Sequence, residues 1–220
     1  MSVTDEVLKA DEAYARDFNL GRLAMPPART LAILACMDAR LTVEQFCGLK
    51  TGEAHIIRNA GGIATEDALR SLIISHHLRG TQEFIVINHT DCGMLTLKEE
   101  ALRKQLEQRT GSRPIAPAHF DAFDDLEENV RVQVERIKSH PWVPQHISVR
   151  GFLYDVKTGR LHEAGEEAAR KVGSLTAVVG LKQALPLSGP APSHRVLPRA
   201  KPFSDDQGRV FLEGLLTAGL

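Results

Sequence analysis

Three short apolar runs dominate the first ninety residues: TLAILAC at 30–36, AHIIR at 54–58 and EFIVINH at 83–89. Each is continuous rather than alternating, the pattern of a strand buried on both faces. Between the second and third runs lies TEDALRSLIISHHLRG. It opens on Thr65 and two acids, carries Leu69, Leu72, Ile73 and His76 on one face, and closes on Gly80, so it reads as a capped helix. Strands alternating with helices give βαβ units and a parallel sheet.

The remaining segments extend this plan. Residues 96–109 and 120–139 read as two more helices, separated by the proline-containing loop GSRPIAPAH. ISVRGFLYDV then reads as a strand, and KTGR as a tight turn into LHEA, a hairpin that adds an antiparallel edge to the sheet. At the front, Val7, Ala10, Tyr14 and Phe18 recur at near-helical spacing, with Asp5 and Glu6 in the favourable first turn. The expected fold is therefore α/β, with a central mostly parallel β-sheet, an antiparallel edge strand, flanking helices and an N-terminal helical arm over about 1–24. This domain spans residues 1–164. From 165 to 220 the chain reads as a C-terminal extension, partly irregular because LPLSGPAPSHRVLPRAKPFSDDQG is rich in Pro, Ser and Gly and lacks periodicity.

Composition excludes several partners. A net charge of −1 offers no broad basic surface for nucleic acid. No stretch approaches the roughly 18 consecutive apolar residues of a membrane span, and the acid-bearing N-terminus reads as neither a signal nor a transit peptide. Three cysteines in 220 residues do not make a disulfide framework. A cytoplasmic setting is expected, where thiols bind metal or do chemistry.

Two of those cysteines sit in paired motifs. CMDARL at 36–41 follows the first predicted strand, and HTDCGM at 89–94 begins at the end of the third. In open α/β sheets the loops at the carboxyl ends of the strands gather into one crevice. Cys36, His89 and Cys92 can therefore meet there as a Cys2His set, which suits a catalytic zinc with one open position. Either motif alone is weak, since the chain has nine histidines and a strand-end cysteine is by default a small buried hydrophobe. Arg40 can hold Asp38 bidentately and keep it ionised, so that Asp38 orients a water on the metal. A structural Asp–Arg pair in a turn is the plainer reading of the same two residues. Asp38 can also close the site as a fourth ligand.

The order C-x-D-x-R, RNAGG at 58–62 and H-x-x-C-G resembles the β-class carbonic anhydrases over roughly residues 5–163. The resemblance implies Zn2+ on Cys36, His89 and Cys92, with Asp38 and Arg40 as the catalytic dyad. It also implies an arm that crosses onto a partner subunit in a homodimer or dimer of dimers, with the active site near the interface. The implied activity is reversible hydration of carbon dioxide to bicarbonate by zinc-bound hydroxide. The chain departs from common forms of the motifs at Met37, Ala39, Gly62 and Met94. Together with GEAHIIRNAGG and SVRGFLYDVKTG, these make it most similar to a compact bacterial branch that also contains carbonyl sulfide hydrolase. Hydrolysis of carbonyl sulfide or carbon disulfide at the same zinc is the alternative enzyme reading. A non-catalytic structural-zinc or thiol redox protein is the alternative of another class.

Other residues admit simpler roles. Gly61 and Gly62 either let backbone approach the ion at a substrate pocket or form a tight structural turn. His76 or His77 could relay protons, though surface or satisfied core positions are the expected reading. Cys47 reads as packing, and Asp91 as a local hydrogen-bond partner near the site.

Overall fold

A computed structural model describes residues 2–113 and 117–165 of the chain. The expected extension from residue 165 onward lies outside the described residues, apart from Gly165 itself. Five strands form one sheet in the order β2-β1-β3-β4-β5: β1 Leu31–Cys36, β2 Ala54–Asn59, β3 Glu83–His89, β4 Ser148–Asp155 and β5 Arg160–Glu163. The first four run parallel, and β5 returns antiparallel to β4 across the hairpin. The expected sheet and its antiparallel edge are both present.

The order of the strands decides where a site can form. From β1 the chain passes to β2 on one side, then crosses back over β1 to β3 on the other. The carboxyl end of β1 is thus the point where connections diverge, and a crevice opens there. Register brings the three relevant strand ends level: Cys36 pairs with Asn59, and Ala35 with Ile87, two residues before His89.

Helices cover both faces. Ala32 and Leu34 of β1 point to one layer, with Phe84, Val86 and Val149, under α3 (Glu66–Arg79) and α5 (Leu126–Lys138). Ile33 and Ala35 point the other way, with Ile87, against the single-turn helix α2 (Val43–Phe46) and the segment carrying Met94 and Phe123. This explains why β1 reads as a continuous apolar run. α3 starts on Thr65, whose hydroxyl accepts from the Ala68 N–H, and ends on left-handed Gly80, the boundaries its sequence signals predict.

Three expectations are corrected. β2 is not buried on both faces but half-buried along its length, because it is the outer strand of the sheet and has one neighbour. The N-terminal helix α1 runs Val3–Arg16, held at its start by a capping box between Ser2 and Asp5, and does not run on through Phe18 toward residue 24. The helix expected over 120–139 begins only at Leu126. Asp125 caps it there, while the N–H groups of Phe120 and Ala122 are drawn to the Glu99 carboxylate at 3.1 and 3.2 Å. Glu99 opens α4 (Glu99–Thr110), so residues 117–124 fold back toward the site as a loop.

Candidate metal centre

Cys36 ends β1, His89 ends β3, and Cys92 follows on the turn that leaves β3. Their ligand atoms all lie within 4.8 Å of one another, and all three residues are buried. The two motifs are halves of one cluster. His89 is fully buried, and its Nδ1 pairs with the Thr90 carbonyl at 2.9 Å. A carbonyl only accepts, so Nδ1 carries the proton and neutral His89 keeps a lone pair on Nε2. That Nε2 has no hydrogen-bond partner among the described residues. An orphaned buried nitrogen facing two thiols is what a metal-binding donor set requires.

The thiols are unequal. Cys36 is pulled down to about 4 by the hydrogen bond from Cys92, against burial, and then by His89 and the backbone N–H groups of Asp38 and Gly61. Cys92 is pushed up, chiefly by the Cys36 sulfur and then by burial. A bound cation would favour the thiolate at both. Burial opposes charge on His89, but the Cys36 sulfur and the Thr90 carbonyl outweigh it and raise its pKa.

Asp38 Oδ2 lies 3.8 Å from His89 Nε2. The Arg40 guanidinium grips both Asp38 oxygens, Nε to Oδ1 at 3.0 Å and Nη2 to Oδ2 at 2.8 Å, and the Arg40 backbone N–H adds a bond of 2.9 Å to Oδ1. These bonds, the side-chain ones first, hold the Asp38 carboxyl far below the usual carboxylate range. Arg40 is itself braced from the second motif, donating to the Asp91 carboxylate at 2.7 Å and the Asp91 carbonyl at 3.0 Å. Asp91 is thus the local hydrogen-bond partner its position suggests.

Gly61 and Gly62 are buried at positive φ, in the turn that follows β2. A Cβ on Gly62 would sit 2.7 Å from Asn88 Nδ2 and 3.1 Å from the Cys36 nitrogen. A Cβ on Gly61 would come within 3.2 Å of Met94 and Phe123. Both glycines let this turn lie directly on the ends of β1 and β3, beside the cluster.

Two other candidates fall elsewhere. Cys47 caps the end of α2, half-buried, where burial and Glu44 push its thiol up. His76 and His77 lie at the carboxyl end of α3, bonded to the Thr81 and Trp142 carbonyls. Thr81 precedes β3 and His89 ends it, so these histidines sit at the far end of the sheet, about 20 Å away along the strand.

Some of the site was not singled out from sequence. Arg58 donates from Nε to the Cys36 carbonyl at 2.9 Å and from Nη2 to the Asp38 carbonyl at 2.6 Å, fixing the loop that carries Asp38. It opens the RNAGG stretch, so that motif was the available signal. Phe123 packs against the apolar cluster that includes Cys36, Cys92 and Met94. No motif marks it, because a loop placed by Glu99 brings it there.

Known proteins resemble this chain in sequence and fold. The carbonic anhydrase family profile matches residues 31–161. The chain is 47% identical over 163 residues to beta-carbonic anhydrase 1 of Mycobacterium tuberculosis, covering 74% of this chain and 98% of that protein. It is 30% identical over 192 residues to a carbon disulfide hydrolase of Acidithiobacillus thiooxidans, covering 79% of this chain and 96% of the relative. Among solved structures, carbonic anhydrase from Streptococcus mutans superposes with a TM-score of 0.71 at 40% identity, covering 75% of this chain and 99% of that one. On sequence, fold and the Cys-His-Cys cluster together, the chain belongs to the β-carbonic anhydrase family.

Proposed function

We propose that this protein hydrates carbon dioxide reversibly to bicarbonate at a zinc ion held by Cys36, His89 and Cys92. Two thiolates and an imidazole suit zinc, and three protein ligands leave one position for water. Zinc held there would supply a Lewis acid that makes its water nucleophilic near neutral pH.

The observation that carries this reading is the placement of Asp38. Its Oδ2 faces His89 Nε2 at 3.8 Å while Arg40 occupies both of its oxygens. Held as an anion, Asp38 accepts a hydrogen bond from the attacking water and orients it toward the substrate carbon. Arg40 keeps Asp38 from swinging onto the metal and from taking a proton. Gly61 and Gly62 leave room beside the ligands, and Met94 and Phe123 give that space an apolar wall. Such a space suits a small, linear, weakly polar molecule. A purely structural zinc would be closed by a fourth ligand, and it would have no use for a carboxylate locked in this way.

Carbon disulfide is the competing substrate, since a relative at 30% identity carries that activity in its name. The higher identity to the mycobacterial carbonic anhydrase, 47%, favours carbon dioxide. The deciding experiment compares bicarbonate formation from carbon dioxide with hydrogen sulfide release from carbonyl sulfide and carbon disulfide, on protein of known zinc content. Bicarbonate formation dominating is the expected result. Sulfide release alone would move the chain to the hydrolases, and neither activity at one zinc per chain would sink both enzyme readings.

Assembly follows from α1. None of its residues is buried; Val3, Val7, Leu8 and Tyr14 are exposed, as is Phe18 just beyond its end. An apolar arm of this kind is stable when it lies on a second subunit, so the working form is a homodimer or a dimer of dimers. The three cysteines are free thiols, and a reducing cytoplasm would keep them so. No helix among the described residues is long and apolar enough to cross a membrane.

A further inference from the structure

Three side-chain amides that the proposed reaction does not use join two backbone groups of one turn through four hydrogen bonds in the protein interior. Gln133 Nε2 donates to Asn129 Oδ1 at 2.9 Å, and Asn129 Nδ2 donates to Asn88 Oδ1 at 2.6 Å. Asn88 Nδ2 then donates to the Gly61 carbonyl at 2.9 Å. The circuit closes where the Ala64 N–H donates to Gln133 Oε1 at 3.0 Å. All three side chains are buried, Asn88 at 1%, Gln133 at 5% and Asn129 at 7% exposure. Each amide has its orientation set by its neighbours: reversing one would set two donors or two acceptors face to face.

The placement is specific. Asn129 and Gln133 stand one turn apart on α5, so both project from the same face. Asn88 is the residue before His89 on β3, and Gly61 and Ala64 flank the turn that lies against Cys36. Asn59 closes the same turn from its other side, bonding the Ile63 carbonyl at 2.7 Å and the Ile63 N–H at 2.8 Å. An apolar layer surrounds the chain, with Val130, Val134 and Leu72 buried beside it. Hydrophobic side chains of similar size would fill that layer without the risk of unpaired polar groups. Three amides there therefore do something that packing does not.

We propose that Asn129 and Gln133 are positioning residues for the metal centre: through Asn88 they hold the Gly61–Ala64 turn against Cys36. The inference rests on the zinc reading of the Cys36–His89–Cys92 cluster. It assigns to α5, which contributes no ligand, control over how firmly the cluster holds its ion. The turn lies directly on the strand ends that carry the ligands: a Cβ on Gly62 would stand 3.1 Å from both the Cys36 nitrogen and the Ile87 carbonyl. When the amide chain is broken, that turn relaxes away and the strand end carrying Cys36 loses its support.

The test uses the full chain, loaded with zinc and separately with cobalt, as the Asn129→Leu, Asn129→Asp and Gln133→Leu variants. Zinc transfer to a chromophoric chelator should quicken by about tenfold or more, the usual scale for removing an outer partner of a metal ligand. The thiolate-to-cobalt absorption band should shift. Gln133→Glu, which keeps the acceptor for Ala64, should recover part of the zinc retention lost in Gln133→Leu. Should Asn129→Leu fail to fold, Asn129→Asp has the same shape and carries the same measurement. Variants that melt at lower temperature but keep wild-type zinc transfer and cobalt spectra would make the chain a structural staple and overturn the proposal. The readouts do not depend on turnover. A wild-type protein that holds zinc but hydrates no carbon dioxide would sink the functional reading and leave this inference to be judged on metal retention.

Discussion

Arg40 holds both carboxylate oxygens of Asp38, at 3.0 and 2.8 Å, while Asp91 holds Arg40 from the opposite motif at 2.7 Å. A side chain gripped at two points keeps one orientation, and that turns a loop carboxylate into a fixed acceptor beside His89. Asp38→Ala should retain zinc and lose roughly a hundredfold or more in carbon dioxide hydration, the usual scale for a positioned proton acceptor. Stopped-flow turnover with zinc content measured on the same sample checks this; near-normal turnover would remove Asp38 from the reaction.

Removal of a ligand should act on metal and stability together. Cys92→Ser should lower bound zinc well below one per chain and abolish turnover. Chelation of the wild-type protein should lower its melting temperature, because an ion that binds only the folded state stabilises it. Metal analysis and thermal melts with and without added zinc read both outcomes. A melting temperature indifferent to zinc would mean that the cluster does not bind it.

Gly62→Ala should be destabilising out of proportion to one methyl group. The new Cβ would meet Asn88 Nδ2 at 2.7 Å and the Cys36 nitrogen at 3.1 Å, at a φ of +64°. Strain of this kind costs about 1–3 kcal/mol, measurable by urea unfolding. Unchanged stability would show that the turn can move off the strand ends.

Histidines 76 and 77 lie away from the cluster, each with a carbonyl partner of its own. His77→Gln should leave turnover within about twofold of wild type in weak buffer, where a lost proton relay shows most clearly. A large fall, rescued by imidazole, would restore the relay role.

The loop that brings Phe123 to the site depends on Glu99. Its carboxylate accepts from the Ala122 and Phe120 N–H groups, and these bonds, the Ala122 one first, lower its pKa. A group whose folded pKa is depressed stabilises above its unfolded value and loses that contribution as pH falls through the folded one. Exchange protection of the Phe120 and Ala122 amides should therefore persist at neutral pH and fall away as the pH drops below the usual carboxylate range. Glu99→Ala should lose it several-fold at neutral pH and match the wild type in acid. Protection indifferent to this substitution would mean the loop is held elsewhere.

Much of the protein was legible in its residues. The continuous runs of β1 and β3, the caps on Thr65 and Gly80, and the motifs around Cys36 and His89 are local signals. Backbone hydrogen bonding, helix capping and strand burial act within a few residues, so their traces stay in the sequence, and the order of strands and helices placed both motifs at one end of the sheet. Where a group's role depends on what arrives from far along the chain, the sequence is silent. Nothing local marks β2 as the outer strand, Phe123 as a wall of the site, or Asn129 and Gln133 as buried amides rather than solvated helix residues. Those roles were decided when the crossing from β2 to β3 placed both strands beside β1 and packed α5 over Asn88. Only in that packing do buried polar groups find their partners.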